Sequence, residues 1–241
     1  MGCLTPQDIA TYIYCPKLYE RKGQVVIARP LTFFESRLRK AFIEGERNAV
    51  IKDSIVDSRK FSRAWDKIWF PAAAKRRISM KNANNKALDA MIKFADYCKY
   101  DISDYTYPTA GVDIQSEIYI GSSCFVAQAD LLKIDMTTKK KTTVIVNFTV
   151  RDLDVIQSAS DPVVRSTAYA FYRNKGEYVT HVNININEKK EKLEITTSTF
   201  GKKEMDDTRK MLYHAERGMT NNVFYHNPYM CKGCNKCPSL D

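Results

Sequence analysis

The sequence predicts a single α/β domain with a helical N-terminal lobe and a metal-bearing C-terminal tail. Helical hydrophobic spacing dominates the first hundred residues, alternating β-rich segments follow, and a cysteine-rich stretch ends the chain. No internal repeat or low-complexity linker separates these parts. We therefore expect one domain over residues 1–241, with a helical lobe at 1–110, a sheet core at 111–200, and a last helix and cysteine cap at 201–241.

The helical lobe is predicted from capping signals and periodicity. Thr5 can cap a first helix, Pro6 suits its first position, and Asp8 at the third position favours the helix dipole. This helix should end at the next Cys-Pro pair. Apolar residues at helical spacing predict two further helices, over Phe33–Ile55 and Asn82–Tyr100.

The sheet core is predicted from alternation, β-branched residues and turn signals. Its expected strands are Val112–Ile120, Cys124–Asp135, Thr142–Val150, Val179–Asn187 and Lys192–Thr199. Two helices complete the pattern, Ala159–Asn174 between the third and fourth strands and Lys202–Gly218 after the fifth.

Composition narrows the class of protein. The 241 residues are 44% hydrophobic, which is enough for a buried core and argues against intrinsic disorder. No apolar run approaches the roughly 20 residues that cross a bilayer, and the start of the chain lacks signal character. We therefore expect a soluble cytoplasmic protein with no membrane partner. Lys and Arg outnumber Asp and Glu by 38 to 28, which predicts a polyanionic partner such as nucleic acid, or else a merely soluble basic protein.

The cysteines indicate a metal centre. Cys231, Cys234 and Cys237 follow one another at two-residue spacing, which fits a cubane iron–sulfur cluster better than a single zinc ion, the alternative metal. The fourth ligand must come from elsewhere, and Cys15 in Tyr-Cys-Pro has the most suggestive context, with His226 as a minor alternative. Seven cysteines in a chain of this size indicate a reducing compartment with metal-bound thiolates.

A candidate nucleic-acid surface lies in the helical lobe, where aromatic and basic residues interleave. The residues are Trp65, Trp69, Lys75, Arg76 and Arg77. Such a segment can stack bases and hold phosphates, or it can be a core-facing helix with a solvated face.

The run from Leu4 to Tyr19 resembles the "S-x-x-x-x-Y-x-x-C-P-x-x-Y/F" opening of the RecB-like and Cas4-like iron–sulfur branch of the PD-(D/E)XK nuclease superfamily. The resemblance implies a mixed central sheet flanked by helices, capped by a 4Fe–4S cluster. It also implies that the first cysteine joins the three C-terminal ones around this cluster. The C-terminal spacing departs from the family, which often has a longer gap before the last cysteine.

The catalytic pattern of this superfamily is degraded here. Its members hold Mg²⁺ or Mn²⁺ with carboxylates beside a lysine. The resemblance aligns Asp130 with the metal-binding aspartate, and Glu117 on the preceding strand could stand near it. Asn147 stands where the second carboxylate should be, and Thr149 where the lysine should be. A neutral amide is a weak ligand for Mg²⁺, and a hydroxyl supplies no positive charge.

Further family positions are also changed. The segment 45–49 lacks the histidine that many relatives carry, and the later "Q-x-x-x-Y" motif is half present, as Arg165 followed by Tyr169. Arg151, two residues beyond Thr149, could replace the lysine's charge, and Glu117 could replace the missing carboxylate.

The resemblance implies a DNA-binding accessory protein that prefers single strands and has an impaired catalytic centre. It would serve replication, recombination or transcription beside a polymerase or helicase, and a phage-encoded protein in a bacterial host fits the same description. Two alternatives are a metal-dependent single-strand DNA exonuclease, which would need Mg²⁺ or Mn²⁺, and a structural module whose basic surface meets an acidic protein.

Overall fold

The computed structural model describes residues 2–21, 29–51, 58–76, 80–100, 109–135, 142–151, 153–175, 178–190 and 193–224. Its helices are α1 (Pro6–Tyr14), α2 (Pro16–Glu20), α3 (Phe33–Ile51), α4 (Ser58–Arg76), α5 (Met80–Tyr100), α6 (Val155–Ser160), α7 (Pro162–Lys175) and α8 (Lys202–Thr220). Its strands are β1 (Thr109–Ile120), β2 (Ser123–Asp135), β3 (Thr142–Thr149), β4 (Tyr178–Asn185) and β5 (Glu194–Phe200).

The five strands form one mixed sheet in the order β1-β2-β3-β4-β5. Strands β3 and β4 run parallel, and the other neighbours run antiparallel. Helices α6 and α7 make the crossover that two parallel neighbours require. The predicted mixed α/β sheet flanked by helices is confirmed.

Helix α1 begins as its capping signals predict. The Thr5 hydroxyl accepts a hydrogen bond from the Asp8 backbone N–H at 3.2 Å, and the Asp8 carboxylate accepts one from the Thr5 N–H at 2.9 Å. These reciprocal bonds satisfy N–H groups that have no partner within the helix. The helix ends at Cys15, and Pro16 starts the short helix α2.

The first face of the sheet is the face that α3, α4 and α5 cover with an aromatic core. The indole rings of Trp65 and Trp69 stack at 4.8 Å between centroids, and the two residues are 3% and 1% exposed. The Trp65 indole N–H also donates to Asn84 on α5 at 3.1 Å. The tryptophans are therefore core residues, and the prediction that they stack bases is wrong. Lys75 and Arg76 end α4, whereas Arg77 falls outside the described residues.

The second face is covered by α1, α6, α7 and α8. Its apolar part includes Phe125 and Phe200. Towards the carboxyl ends of β3 and β4, buried polar residues replace apolar ones, for example His181 and Asn183. Two buried polar residues of β5 form hydrogen bonds with the crossover. The Ser198 hydroxyl bonds to that of Ser158 in α6 at 2.9 Å, and the Thr196 hydroxyl donates to the Leu153 carbonyl.

The helix predicted over Ala159–Asn174 is two helices, α6 and α7. Asp161 between them has extended backbone angles, and its carboxylate accepts hydrogen bonds from the N–H groups of Val163 and Val164, each at 3.0 Å. Pro162 forces this break because it cannot donate to the preceding turn and disfavours a helical residue before it.

The N-terminal segment is joined to β2 by a disulfide and a short strand pairing. Cys3 and Cys124 form the disulfide, so the predicted reducing compartment with metal-bound thiolates does not describe these two cysteines. The Leu4 N–H donates to the Cys124 carbonyl at 2.7 Å, and the Leu4 carbonyl accepts from the Val126 N–H at 2.8 Å. Disulfides form in oxidising compartments and also in intracellular proteins of hyperthermophiles.

Among the helices of the described residues, none is long and apolar enough to cross a bilayer.

Candidate functional site

The candidate site lies where β2 and β3 diverge. The two strands pair from Asp135 opposite Thr142 to Leu131 opposite Val146. Beyond this point β2 continues along β1, and β3 continues along β4. The divergence leaves backbone groups between the strands that need other hydrogen-bonding partners.

Two side chains bridge the divergence. The Asn147 amide oxygen accepts from the Asp130 N–H at 3.2 Å, and its amide nitrogen faces the Gln128 carbonyl at 3.5 Å. In return, one Asp130 carboxylate oxygen accepts from the Phe148 N–H at 2.7 Å. An amide suits position 147 because it can donate and accept at once, whereas a carboxylate can only accept.

Arg39 of α3 forms hydrogen bonds with the other oxygen of the Asp130 carboxylate. Its Nε donates to Asp130 Oδ1 at 3.1 Å, and its Nη2 donates to the same atom. Asp130 is 4% exposed. The hydrogen bonds to this carboxylate raise the pKa of Arg39 above its ordinary value, so the guanidinium stays charged. Both oxygens of Asp130 are therefore engaged by N–H donors.

The strand register puts Asp113, and not Glu117, beside Asp130. Val112 pairs with Leu131 and Ile114 with Ala129, so residue 113 stands opposite residue 130. Glu117 is four residues away, or about 13 Å at the rise of a strand. The expectation that Glu117 replaces the missing carboxylate at Asp130 is therefore wrong.

Asp113 and Arg47 extend the cluster around Asp130. The Arg47 guanidinium donates to the Asp113 carboxylate at 3.0 Å and to Glu44 at 2.7 Å. Asp113 has a φ of 50°, an unusual backbone conformation for a residue other than glycine. Sequence reasoning missed Asp113 and Arg39, because their proximity to Asp130 depends on strand register and helix placement. In the sequence Asp113 is one of several polar residues among the apolar ones of β1, so nothing local distinguishes it.

Arg151 does not supply a free positive charge to the site. Its guanidinium nitrogens donate to both carboxylate oxygens of Asp161, one of them at 3.0 Å. Strand β3 ends at Thr149, whose hydroxyl accepts from the Arg151 N–H at 3.0 Å. Because the Asp161 pair uses the guanidinium, Arg151 cannot take the lysine's role in this arrangement.

The α3 segment 45–49, which lacks the expected histidine, contains Glu46, which is fully buried. Its carboxylate accepts from the Lys133 ammonium of β2 at 3.0 Å. Lys133 therefore carries a compensated charge that holds α3 against the sheet.

Arg165 and Tyr169 lie at the contact between α7 and α8. The Arg165 guanidinium donates to the Thr208 hydroxyl at 2.9 Å and to the Glu204 carbonyl at 3.0 Å. The structure thus brings Asp130 and Asn147 together, but it places this half of the "Q-x-x-x-Y" pattern against α8.

The start of the C-terminal tail lies beside the helices that flank Cys15. Cys15 itself is a buried thiol. The Tyr12 hydroxyl donates to the Val223 carbonyl at 2.8 Å. The rings of Tyr12 and Tyr19 contact that of Phe224, at 6.3 and 6.4 Å between centroids.

The other three predicted cluster ligands, Cys231, Cys234 and Cys237, lie outside the described residues, as does His226. Within the described ranges, no group of three or more His, Cys, Asp or Glu side chains forms a metal site.

The donors around Asp130 do not fit a catalytic Mg²⁺ or Mn²⁺ ion. These ions need several oxygen ligands, mainly carboxylates and water. Here the two Asp130 oxygens face N–H donors, and the neighbouring Asn147 oxygen also accepts one.

Thirteen chains of solved structures match this chain, and two of these matches are the following. No family profile and no curated protein sequence matches this chain. A crystal structure from Eubacterium rectale, described as a "putative exonuclease", aligns over 99% of this chain and 89% of that chain, with 9% identity and a TM-score of 0.49. The structure of SSO0001 aligns over 92% of both chains, with 12% identity and a TM-score of 0.31. Neither likeness is strong enough to assign a function.

Proposed function

We propose that this chain is a nucleic-acid-binding protein with a nuclease-like fold, in which the metal site of a nuclease is replaced by an internal polar link. The observation that carries the proposal is the bridge between β2 and β3. Asn147 satisfies backbone groups from the position of a metal-binding carboxylate, and Arg39 supplies a positive charge to Asp130. A guanidinium neutralises a carboxylate but cannot activate water as a metal ion does.

The function that remains is binding. The net charge of +10 favours a polyanion, and the degraded motif resembles nucleases that act on DNA. We therefore propose single-stranded DNA as the partner, and an accessory role in replication, recombination or transcription beside a polymerase or helicase.

The test combines binding and digestion of labelled single-stranded oligonucleotides. We expect affinity to fall steeply as salt rises, because each phosphate contact releases counterions. We also expect no digestion with Mg²⁺ or Mn²⁺. The absence of binding at low salt would refute the proposal.

A second candidate function is a metal-dependent exonuclease, favoured by the two carboxylates of Asp113 and Asp130 at opposed positions of β1 and β2. If Arg39 left this position, both carboxylates could face a metal ion. Digestion that is lost in Asp130→Asn and Asp113→Asn, but kept in Asp66→Asn on the exposed side of α4, would establish it. Folding of each variant would be checked by circular dichroism.

We further propose that Cys15 and the three tail cysteines hold a 4Fe–4S cluster, which would join the two ends of the chain. The contacts of Tyr12 and Tyr19 with Phe224 support it, because they bring the start of the tail to the helices on either side of Cys15. Cys231 follows Phe224 by seven residues, a reach of up to about 25 Å.

Iron and sulfide analysis of anaerobically purified protein tests the cluster. We expect about four irons per chain, and their loss in Cys15→Ala but not in the matched control Cys98→Ala. Zinc in place of iron would support the alternative metal. A metal-free protein that Cys15→Ala does not change would overturn the cluster.

A further inference from the structure

We propose that a tyrosine–arginine surface on α7 and α8 is the binding site for single-stranded nucleic acid. This surface consists of Tyr172 and Arg173 of α7 and of Arg209 and Tyr213 of α8, and Tyr169 of α7 is the buried residue that packs against it. The inference rests on the proposed function and replaces the helical-lobe tryptophans as the candidate contact region.

The two helices are fixed relative to each other at this surface. Arg165 of α7 donates to the Thr208 hydroxyl and the Glu204 carbonyl of α8. Tyr169 follows Arg165 by four residues, and Tyr172 and Arg173 follow Tyr169 by three and four, so these residues share one side of α7. A surface on two packed helices is a rigid platform that needs little ordering when a ligand binds.

Aromatic rings and guanidinium groups lie next to each other on this surface. The half-buried ring of Tyr172 lies 6.4 Å between centroids from that of Tyr169, which is buried beside it. The Arg209 guanidinium lies over the Tyr213 ring, 5.7 Å from its centroid, and Tyr213 is 37% exposed. Arg173 and Arg209 are both exposed. The surface thus offers flat groups for stacking and positive charge to the same ligand.

The electrostatics of Tyr169 show that both helices contribute to one cluster. Burial raises the pKa of its phenol, while the positive charges of Arg173 and Arg209 act in the opposite direction. Smaller contributions from Tyr213 and Tyr172 raise the pKa again. Charged side chains of both helices therefore act on this phenol.

Acidic residues are scarce around these arginines. Helix α7 contains no Asp or Glu. After Arg209, the one acid of α8 is Glu216, which is buried and accepts hydrogen bonds from the turn residues Ser122 and Ser123. The remaining acids of α8 are in its first two turns, where Asp207 pairs with Lys210 at 3.5 Å. Asp206 is exposed three residues before Arg209, and after Asp207 the exposed charged side chains of α8 are the basic Arg209, Lys210 and Arg217.

Exposed rings beside arginines favour a single strand over a duplex. The bases of a single strand are free to stack on tyrosine rings and guanidinium planes, whereas duplex bases already stack on each other. Arginine can also hold the intervening phosphates. An acidic protein would pair with the arginines but would gain less from the rings.

Helix α4 provides a matched control for charge. Arg63 and Lys67 are exposed on it, one turn apart. Trp65 and Trp69 beside them are buried, and Phe70, three residues after Lys67, is the one exposed ring of α4, at 40%. Removing two positive charges from either place changes the net charge equally, but only one place has accessible tyrosines.

The experiment measures binding of a fluorescent oligo-dT and of a duplex of equal length over a range of salt, in the full chain. We expect the double variant Arg173→Gln/Arg209→Gln to weaken oligo-dT binding about tenfold and to lower the salt slope by about 1.4, for two lost phosphate contacts. Arg63→Gln/Lys67→Gln should change either quantity much less. Tyr213→Ala should weaken binding about tenfold with an unchanged salt slope, because stacking releases no counterions.

The outcomes separate the two levels of proposal. No binding by the unaltered protein would refute the proposed function itself. Binding that both double variants weaken equally would overturn the surface while leaving the function standing. Competition by polyglutamate as strong as that by oligo-dT, with no effect of Tyr213→Ala, would instead indicate an acidic protein partner and overturn the inference.

Discussion

The two faces of the sheet differ in what lies between the sheet and its helices. On the first face this layer is an aromatic cluster that includes Trp65 and Trp69. On the second face part of the layer is polar and contains the buried His181. On both faces an outer helix exposes an aromatic residue, Phe70 of α4 at 40% and Tyr213 of α8 at 37%. Interleaving of aromatic and basic residues does not by itself identify a binding surface.

The largest expected effect is on the first face. Trp69→Ala removes a fully buried indole from the cluster with Phe33, Phe34 and Trp65, which should lower the free energy of unfolding by about 4 kcal/mol. Urea denaturation measures the loss. Phe70→Ala, on the same helix but 40% exposed, should cost under about 1 kcal/mol. Equal losses would mean that Trp69 is not a core residue.

The next effect concerns the polar layer of the second face. Burial lowers the pKa of His181 to about 4, and its Nδ1 has no hydrogen-bonding partner among the described residues. Between pH 6.5 and pH 4 the unfolded chain therefore binds a proton that the folded chain does not. The contribution to stability is complete above pH 6.5 and falls by about 3 kcal/mol as the pH drops to 4.

Thermal denaturation over this pH range tests the histidine. His181→Leu should be less sensitive to acid than the unaltered protein, and His214→Leu, which changes an exposed residue of α8, should keep the original dependence. If the His181 variant shows the same loss as the unaltered protein, the acid sensitivity has another source.

The smallest effect concerns the contact between α1 and the end of the described chain. Tyr12→Phe removes the hydrogen bond to the Val223 carbonyl, which should lower the free energy of unfolding by about 1 kcal/mol. Tyr213→Phe is the matched control, because it removes a hydroxyl from the exposed tyrosine of α8. An unchanged stability in Tyr12→Phe would indicate that the chain end is not held by this bond.

The sequence predicted what depends on local signals. The cap at Thr5, the order of helices and strands and the proximity of Asp130 to Asn147 all follow from spacing, turn residues or motif. Strand limits were less accurate: β4 ends at Asn185 and β5 starts at Glu194. The break between α6 and α7 could have been predicted from the Asp-Pro pair, because proline disfavours a helical residue before it.

Features that depend on register or on distant packing could not be predicted. Asp113 stands opposite Asp130 only because β1 and β2 pair in one particular register. The sequence alone does not give this register, and the prediction from sequence placed Glu117 near Asp130 instead. Cys124 joins Cys3 across 121 residues, and nothing local signals such a pairing. The choice between a buried and an exposed aromatic residue depends in the same way on which side of a helix meets the sheet.

The pairing of Leu4 with β2 also has a consequence for solubility. Where β3 turns away, β2 presents a sheet edge with unpaired backbone groups, which in other proteins templates aggregation. Leu4 covers two of these groups, at Cys124 and Val126, and the disulfide at Cys3 keeps it there. The divergence that creates the polar site thus also leaves an edge on β2. The pairing of Leu4 with this edge shortens the part of it that is open to pairing with another chain.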